Sequence, residues 1–287
     1  MGLVPLSVII LTYNEEVNLP GALESVVGWA EQVFVVDSFS TDNTLKIVED
    51  YGIPVYQNSW TDWATQRNWA MDNLPIRNEW VLFLDADERI SSELAEEIKE
   101  TLKNVPHEVS GFYINRRFIF MGRWLKYGGY SSNWVLRLVK RDKTRVLPAG
   151  DSEYFQVDGK VLRLKNYMIH EDKKDLHFFT HKHNRISDMA ARRLFYKERV
   201  NFDNNNKRKD LEGKYRVWVK ENILANLPLF VRPFVIFFYK YFLKLGILDG
   251  KEGFVYYFLH DFWYPFLIDA KLLEMRYKSS RTKQSKI

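Results

Sequence analysis

Short apolar runs alternate with longer mixed stretches through the first hundred residues. Ser7-Val8-Ile9-Ile10-Leu11, Gln32-Val33-Phe34-Val35-Val36, Pro54-Val55-Tyr56-Gln57 and Trp80-Val81-Leu82-Phe83-Leu84 read as four strands, rich in β-branched and aromatic residues. Asn14-Glu15-Glu16 and Asn18 lead into a helix through about Trp29, Ser40 to Thr44 caps a second through about Tyr51, and Asp62 to Leu74 and Ser91 to Lys103 read as two more. Asp42, within Ser40-Thr41-Asp42-Asn43-Thr44, is the expected cap of the second helix. Strands alternating with helices of this length predict βαβ units and a parallel sheet.

The rhythm changes after residue 105. Gly111-Phe112-Tyr113-Ile114-Asn115 and Trp134-Val135-Leu136-Arg137-Leu138 read as strands of a mixed-sheet extension, with a loop at Gly128-Gly129-Tyr130. Residues 148–175 are polar and turn-rich around Asp158-Gly159, with a strand expected at Asn166-Tyr167-Met168-Ile169. Leu176 to about Phe202 reads as a helix, and Asp203-Asn204-Asn205-Asn206 as a linker. The expected division is therefore an α/β domain over 1–202 and a helical region over 203–287.

Two apolar stretches follow, Pro228 to Leu245 and Phe254 to Ile268, but charges interrupt both. Neither offers the roughly 20 clean apolar residues of a membrane span. Residues 1–200 carry 26 Lys+Arg and 28 Asp+Glu, whereas residues 201–287 carry 16 and 9. The positive excess thus lies wholly in the aromatic-rich last third. Arg232 and Lys240, eight apart, fall on one half of a helix. With the tail cations Arg276, Lys278, Arg281, Lys283 and Lys286, this pattern suits helices lying on an anionic membrane surface. A helical packing layer or a homo-oligomer interface is the plainer alternative. No nucleic-acid-binding motif is present.

The chain has no cysteine, which excludes disulfides and thiolate metal sites and fits a reducing cytoplasm. The N-terminus lacks a basic leader and cleavage site, so no signal peptide is expected.

The candidate chemistry lies at strand ends. Asp85-Ala86-Asp87 closes the fourth strand, where ligands collect in open α/β sheets. Two carboxylates so close repel each other unless a cation or water intervenes, and Mg²⁺ or Mn²⁺ takes such oxygens together with substrate phosphates. Thr12-Tyr13-Asn14-Glu15 ends the first strand, where a nucleotide can lie on the tyrosine face. Asp37 ends the second strand and can accept from a uracil N–H or a ribose hydroxyl. Arg67, in Gln66-Arg67-Asn68, can pair with a diphosphate, and Asn68 can brace the loop.

These segments in this order resemble glycosyltransferase family 2, with its GT-A fold: Ser7 to Glu16, Val35 to Thr44, Gln66-Arg67-Asn68 and Asp85-Ala86-Asp87-Glu88. One position departs: many members have a second Asp where Ser38 stands. Within the family the chain is most similar to the lipopolysaccharide-core β-1,4-glucosyltransferase group. The further matches are Asn115 to Gly122, Leu136-Arg137-Leu138, Glu153 with Val157-Asp158-Gly159-Lys160-Val161, His170, Lys182-His183-Asn184-Arg185 and the late Gly246 to Gly250 with Gly253.

The resemblance implies an inverting hexosyltransferase with a single base. It places Asp85 on the ribose and metal side, Asp87 on the metal, and His170 as a second metal ligand. Glu153 is the expected base, with Glu171 and Asp172 as alternatives. Arg116, Arg117 and Arg137 fall on the mixed-sheet side, where acceptors bind. Trp124, Tyr127, Tyr130 and Trp134 can stack on sugar rings, close over the donor, or pack under their own loop. His177, His181 and His183 read as helix surface or acceptor contacts.

The expected donor is a UDP-hexose. The expected acceptor is a lipid-anchored saccharide such as lipopolysaccharide core, handled by a peripheral enzyme at the cytoplasmic face of the inner membrane. A polyprenyl-phosphate glycosyltransferase and a non-catalytic sugar-nucleotide-binding scaffold are the alternatives.

Overall fold

The computed structural model describes residues 2–149, 152–196 and 227–284. It divides into two compact units, Met1–Lys174 and Asp175–Ile287. The division falls ahead of the expected boundary at 202. The reason is that helix α5 (Leu176–Phe195) packs on α8 (Tyr264–Gln284). The expected linker at 203–206 and the end of the helix expected to reach Phe202 lie outside the described residues.

The first unit is an α/β layer structure. Its elements are β1 (Val4–Thr12), α1 (Leu19–Glu24), β2 (Ala30–Asp37), α2 (Thr44–Asp50), β3 (Val55–Gln57), α3 (Trp63–Asn73), β4 (Trp80–Asp85), β5 (Glu88–Ile90), α4 (Ser92–Lys103), β6 (Val109–Phe120), β7 (Arg123–Trp124), β8 (Trp134–Lys140), β9 (Thr144–Ala149), β10 (Ser152–Val157) and β11 (Lys160–His170). Among the described residues the main sheet runs β3-β2-β1-β4-β8-β6-β11-β5, with β7 paired to β6. Strands β3, β2, β1 and β4 are parallel, β8 is antiparallel to β4 and β6, and β5 is antiparallel to β11. This is the mixed α/β sheet that the sequence predicts.

Alternation of side chains across the pleat builds two cores. On β1, Leu6, Val8 and Ile10 face one side with Leu19, Leu23, Leu94 and Ile98 from α1 and α4. Ile9 and Leu11 face the other with Ala70 and Met71 from α3. Two helix starts carry side-chain caps: Asp62 accepts from Thr65 N at 2.8 Å, and Ser91 from Leu94 N at 3.2 Å. Helix α1 begins at Leu19, just past Asn18, and ends at Glu24 rather than near Trp29. The Asn14-Glu15-Glu16 turn is instead tied across to Ser40, Thr44 and Asp42.

The stretch 148–175 corrects the sequence expectation most. Rather than turns, it forms most of a β9–β10 hairpin and the long β11. The hairpin buries Val146 and Phe155 in the second core. Gly159, at φ 132, makes the tight turn into β11, where a Cβ would meet Ser110 Oγ at 2.3 Å.

Parallel pairing sets the functional edge. Thr12 lies beside Asp37, and Leu11 beside Asp85, so three strands end together. On the other half of the sheet, His170 of β11 lies beside Glu88 of β5.

Candidate active site

Six charged residues form a closed ionic set at this edge. Arg67 is 1% exposed and donates from Nη2 to Asp85 Oδ1 and from Nε to Glu153 Oε2, both at 2.6 Å. Arg137 donates to the other oxygens of the same two carboxylates: Nη2 to Asp85 Oδ2, and Nη1 to Glu153 Oε1 at 3.0 Å. Glu88, fully buried, accepts from Arg137 and Arg116, each at 3.2 Å, and from the Asp85 amide at 3.0 Å. Three guanidinium groups thus balance three carboxylates in a region that excludes most water.

Burial alone would raise the Asp85 pKa, but Arg137 and Arg67 outweigh it and hold the carboxyl well below the usual range. Burial likewise works against the charge on Arg137, and Asp85, Glu88 and Glu153 overcome it, raising its pKa. Asp85 and Arg137 therefore stabilise each other in their charged forms. The buried donors Arg67 Nη1, Arg137 Nε and Arg116 Nε have no acceptor among the described residues.

The second group lies beside it. Asp87 Oδ2 is 3.2 Å from His170 Nε2, and the Asp87 carbonyl accepts from the Glu171 amide at 2.9 Å. Glu15 receives Lys174 Nζ at 2.7 Å and Asn18 Nδ2 at 2.8 Å. Burial pushes the Glu15 pKa up, Lys174 and Asn18 pull against it, and nearby Asp87 adds to the rise. Among the described residues no three His, Cys, Asp or Glu side chains converge as a metal cluster. The donor set is one carboxylate and one imidazole. That set fits a hard cation such as Mg²⁺ or Mn²⁺, which keeps waters and takes substrate phosphates.

Asp85 does not offer open oxygens to a metal, because both accept from guanidinium groups. Asp37 is wholly buried, and its oxygens accept from Thr12 Oγ1 at 3.0 Å, Ser40 N at 2.8 Å and Ser40 Oγ at 2.5 Å. The local cause is the turn after β2. Phe39 takes a left-handed conformation, φ 62, and wraps Ser40 back onto the carboxylate. Asp37 therefore braces the strand ends, and Asp42 caps locally by accepting from Thr44 N at 3.0 Å.

Tyr13 stands 52% exposed at the end of β1, where a flat ring could lie on it. Asn14, at φ 54, reaches across to the Thr41 amide at 2.8 Å. Arg137, expected among acceptor contacts, is 4% exposed and belongs to the ionic set instead. Arg116 is shared between Glu88 and Asn133. Arg117 packs between Tyr167 and Trp124, its guanidinium carbon 3.0 and 4.2 Å from their ring centres. Asn68 braces β9, exchanging bonds with the Val146 backbone at 2.7 and 3.0 Å.

Among the candidate bases, only Glu153 joins the ionic set. Glu171 pairs with Arg89. Asp172 accepts from Asn18 Nδ2 at 2.9 Å and Lys174 N at 3.1 Å. The loop aromatics largely meet other side chains: Tyr130 on Phe118, Trp134 under Arg163. In the second unit, His177 stacks on His181, and His183 lies 4.0 Å from the Phe179 ring centre. Burial lowers the His183 pKa to about 4. Sequence reasoning missed Glu88, whose only signal is its place after Asp87, and Asn18, which carries none.

The chain matches the glycosyl transferase family 2 model over residues 7–199 and belongs to that family. An uncharacterized glycosyltransferase of Rickettsia bellii is 39% identical over 94 residues, 33% of this chain and 31% of that protein. The lipopolysaccharide core biosynthesis glycosyltransferase LpsC of Rhizobium meliloti is 33% identical over 146 residues, 49% of this chain and 53% of that protein. The chain thus spans about a third to a half of the length of these curated relatives. Among solved structures, S. aureus TarS 1-349 in complex with UDP-GlcNAc is 17% identical, with 96% and 92% of the two chains covered and a TM-score of 0.45.

Proposed function

We propose that the protein is an inverting, metal-dependent hexosyltransferase. It moves a sugar from a UDP-linked donor to a lipid-anchored saccharide such as lipopolysaccharide core or a lipid-linked glycan. The reading sets it at the cytoplasmic face of the inner membrane. One observation carries it: Asp87 with His170 lies beside a buried arginine pair at the strand ends of a family 2 glycosyltransferase. The acceptor class draws support from LpsC, which is named for lipopolysaccharide core biosynthesis.

The chemistry is a single displacement at the anomeric carbon. The acceptor oxygen bonds to that carbon, the bond to the diphosphate oxygen breaks, and the configuration inverts. Asp87 and His170 would hold Mg²⁺ or Mn²⁺, which would supply electrostatic stabilisation of the leaving diphosphate. Tyr13 gives the nucleobase a flat apolar face. Arg67 Nη1 is a buried donor without a partner among the described residues, so Arg67 acts on the leaving diphosphate through its charge rather than by direct contact. Glu153 is the base in this reading; both of its oxygens accept from guanidinium groups, Arg67 Nε at 2.6 Å and Arg137 Nη1 at 3.0 Å, so one of these contacts opens when it takes the proton of the acceptor hydroxyl. Its protonation leaves the three-to-three ionic set with one net positive charge. That charge arises as negative charge grows on the leaving group, so proton uptake and leaving-group stabilisation reinforce each other.

Donor hydrolysis across a panel of UDP- and GDP-hexoses with Mn²⁺ tests the reading, with the first-formed anomer followed by proton NMR. Release of the inverted anomer from a UDP-sugar is the expected result. Tight donor binding with no turnover on any sugar, with or without acceptor, points to a scaffold instead.

A further inference from the structure

The second unit presents a rigid apolar tip. Helix α6 (Val231–Phe238) runs into a π-helical turn, Tyr239–Leu243, then a 3₁₀ turn, Gly246–Asp249, and α7 (Gly250–Tyr256). Phe242, Leu243, Leu245, Ile247 and Leu248 stand there between 44% and 64% exposed. Five such residues within seven positions make an apolar patch of the kind that marks an interaction site rather than ordinary surface.

The exposure is built in. Leu245 is held in the left-handed region at φ 59, unusual for a bulky residue. A Cβ on Gly246 would meet the Tyr257 ring at 2.8 Å and the Lys240 carbonyl at 2.9 Å. A Cβ on Gly253 would meet Asp249 Cβ at 2.4 Å. Tyr257 donates to buried Asp249 at 2.7 Å. These contacts lock the turn and keep its aliphatic side chains outward.

The charges nearby select the occupant. Residues 222–248 contain no Asp or Glu and three cations, Arg232, Lys240 and Lys244. Arg232 is committed to buried Asp269, and Lys240 donates to buried Asp261 at 2.7 Å. The two basic residues expected from sequence to face lipid are therefore internal ion pairs. Lys244, 5.7 Å from the Tyr239 ring centre, and Lys251, 91% exposed, flank the tip instead. The acid nearest to Lys251 is Glu252, at 3.9 Å. A second copy of this face would bring lysines toward lysines, with no acid on the tip to meet them. Anionic headgroups supply the missing charge, and the acyl boundary accepts the aliphatic side chains. No helix among the described residues is long and apolar enough to cross a membrane.

We infer that residues 242–248 form a membrane-inserting tip that docks the second unit on an anionic lipid surface, with Lys244 and Lys251 at headgroup level. This deepens the proposed reading, which supplies the reason for docking: an acceptor held in the membrane.

The test is flotation of the full chain with phosphatidylglycerol-containing vesicles and with pure phosphatidylcholine vesicles. Wild type is expected to float with the anionic vesicles and far less with the zwitterionic ones. The Leu245→Asp/Leu248→Asp variant should bind the anionic vesicles about tenfold more weakly or worse. Both positions are exposed, and Asp tolerates a left-handed backbone better than Leu, so the melting temperature should hold. Binding of UDP with Mn²⁺ should be unchanged in the variant, which keeps this result separate from the success or failure of the transferase reading. Equal flotation of variant and wild type overturns the inference. So does a wild-type dimer in solution that the two substitutions dissolve, because the face then belongs to a second copy.

Discussion

Replacing Arg137 with Met tests the buried ionic set directly. Methionine keeps much of the side-chain volume and removes the charge and the donors. Arg137 is 4% exposed and meets Asp85, Glu88 and Glu153. Its loss leaves three carboxylates facing two guanidinium groups. Removing one partner of a buried ion pair costs about 3–5 kcal/mol, because the other charge stays buried without compensation. Asp85 is 25% and Glu153 15% exposed, so water relieves part of that cost, and about 3 kcal/mol is the better figure. For a unit of this size each kcal/mol lowers Tm by about 2–4 °C, so a fall of roughly 6–12 °C is expected by calorimetry.

The pH dependence carries a sign. Asp85 is depressed in the folded protein, so its contribution is present above its unfolded pKa of about 3.9 and is lost as pH falls through the folded value. Arg137→Met relaxes that depression. The gap between wild type and variant should therefore narrow as pH falls below about 4. Adding Glu88→Gln should recover part of the loss, since it removes one of the stranded charges. A Tm change below about 2 °C at neutral pH refutes a balanced buried set.

Other outcomes follow from single side chains. Glu153→Gln should abolish transfer while leaving UDP binding intact; substantial remaining transfer moves the base to Glu171 or Asp172. Phe39→Gly removes a bulky residue from a left-handed position that costs about 1–2 kcal/mol. Its melting temperature should hold or rise; a clear fall means that Phe39 packs more than its 52% exposure indicates. His183 has a pKa lowered to about 4 by burial, so its stabilising effect is present above pH 6.5 and lost as pH falls toward 4. Comparing urea unfolding of wild type and His183→Gln across that window should show the steeper acid loss in wild type. Parallel curves contradict a buried neutral imidazole.

The strands of the parallel half were legible because their apolar runs are continuous, as in sheets covered on both faces. Helices α3 and α4 were legible through Asp62 and Ser91, whose side chains do cap them. The β9–β10 hairpin was not, and of β11 only the Asn166-Tyr167-Met168-Ile169 segment was. Residues on β11 are largely half-exposed, so polar and apolar positions mix and mimic a loop. Asp85, Asp87, Arg67 and Glu153 were all singled out from the motifs, but their wiring was not. Arg137 sits in an apolar strand, and nothing local says whether its guanidinium reaches a sugar or three buried carboxylates. Glu88 is similar: its burial depends on β11 and β5 pairing, a contact between residues about eighty apart. The bonds of Asp37 to Ser40 were not legible because the fold of its turn depends on a left-handed Phe39, a conformation that the residue type argues against.

The most direct measurement is calorimetric titration of UDP, with Mn²⁺ and with EDTA, into wild type, Asp87→Ala and His170→Ala. Wild type should bind UDP far more tightly with Mn²⁺, and both variants should lose most of that dependence while keeping the wild-type melting temperature to within a few degrees. UDP binding that is equal with and without metal, or equally metal-dependent in all three proteins, contradicts a metal–diphosphate site at Asp87 and His170.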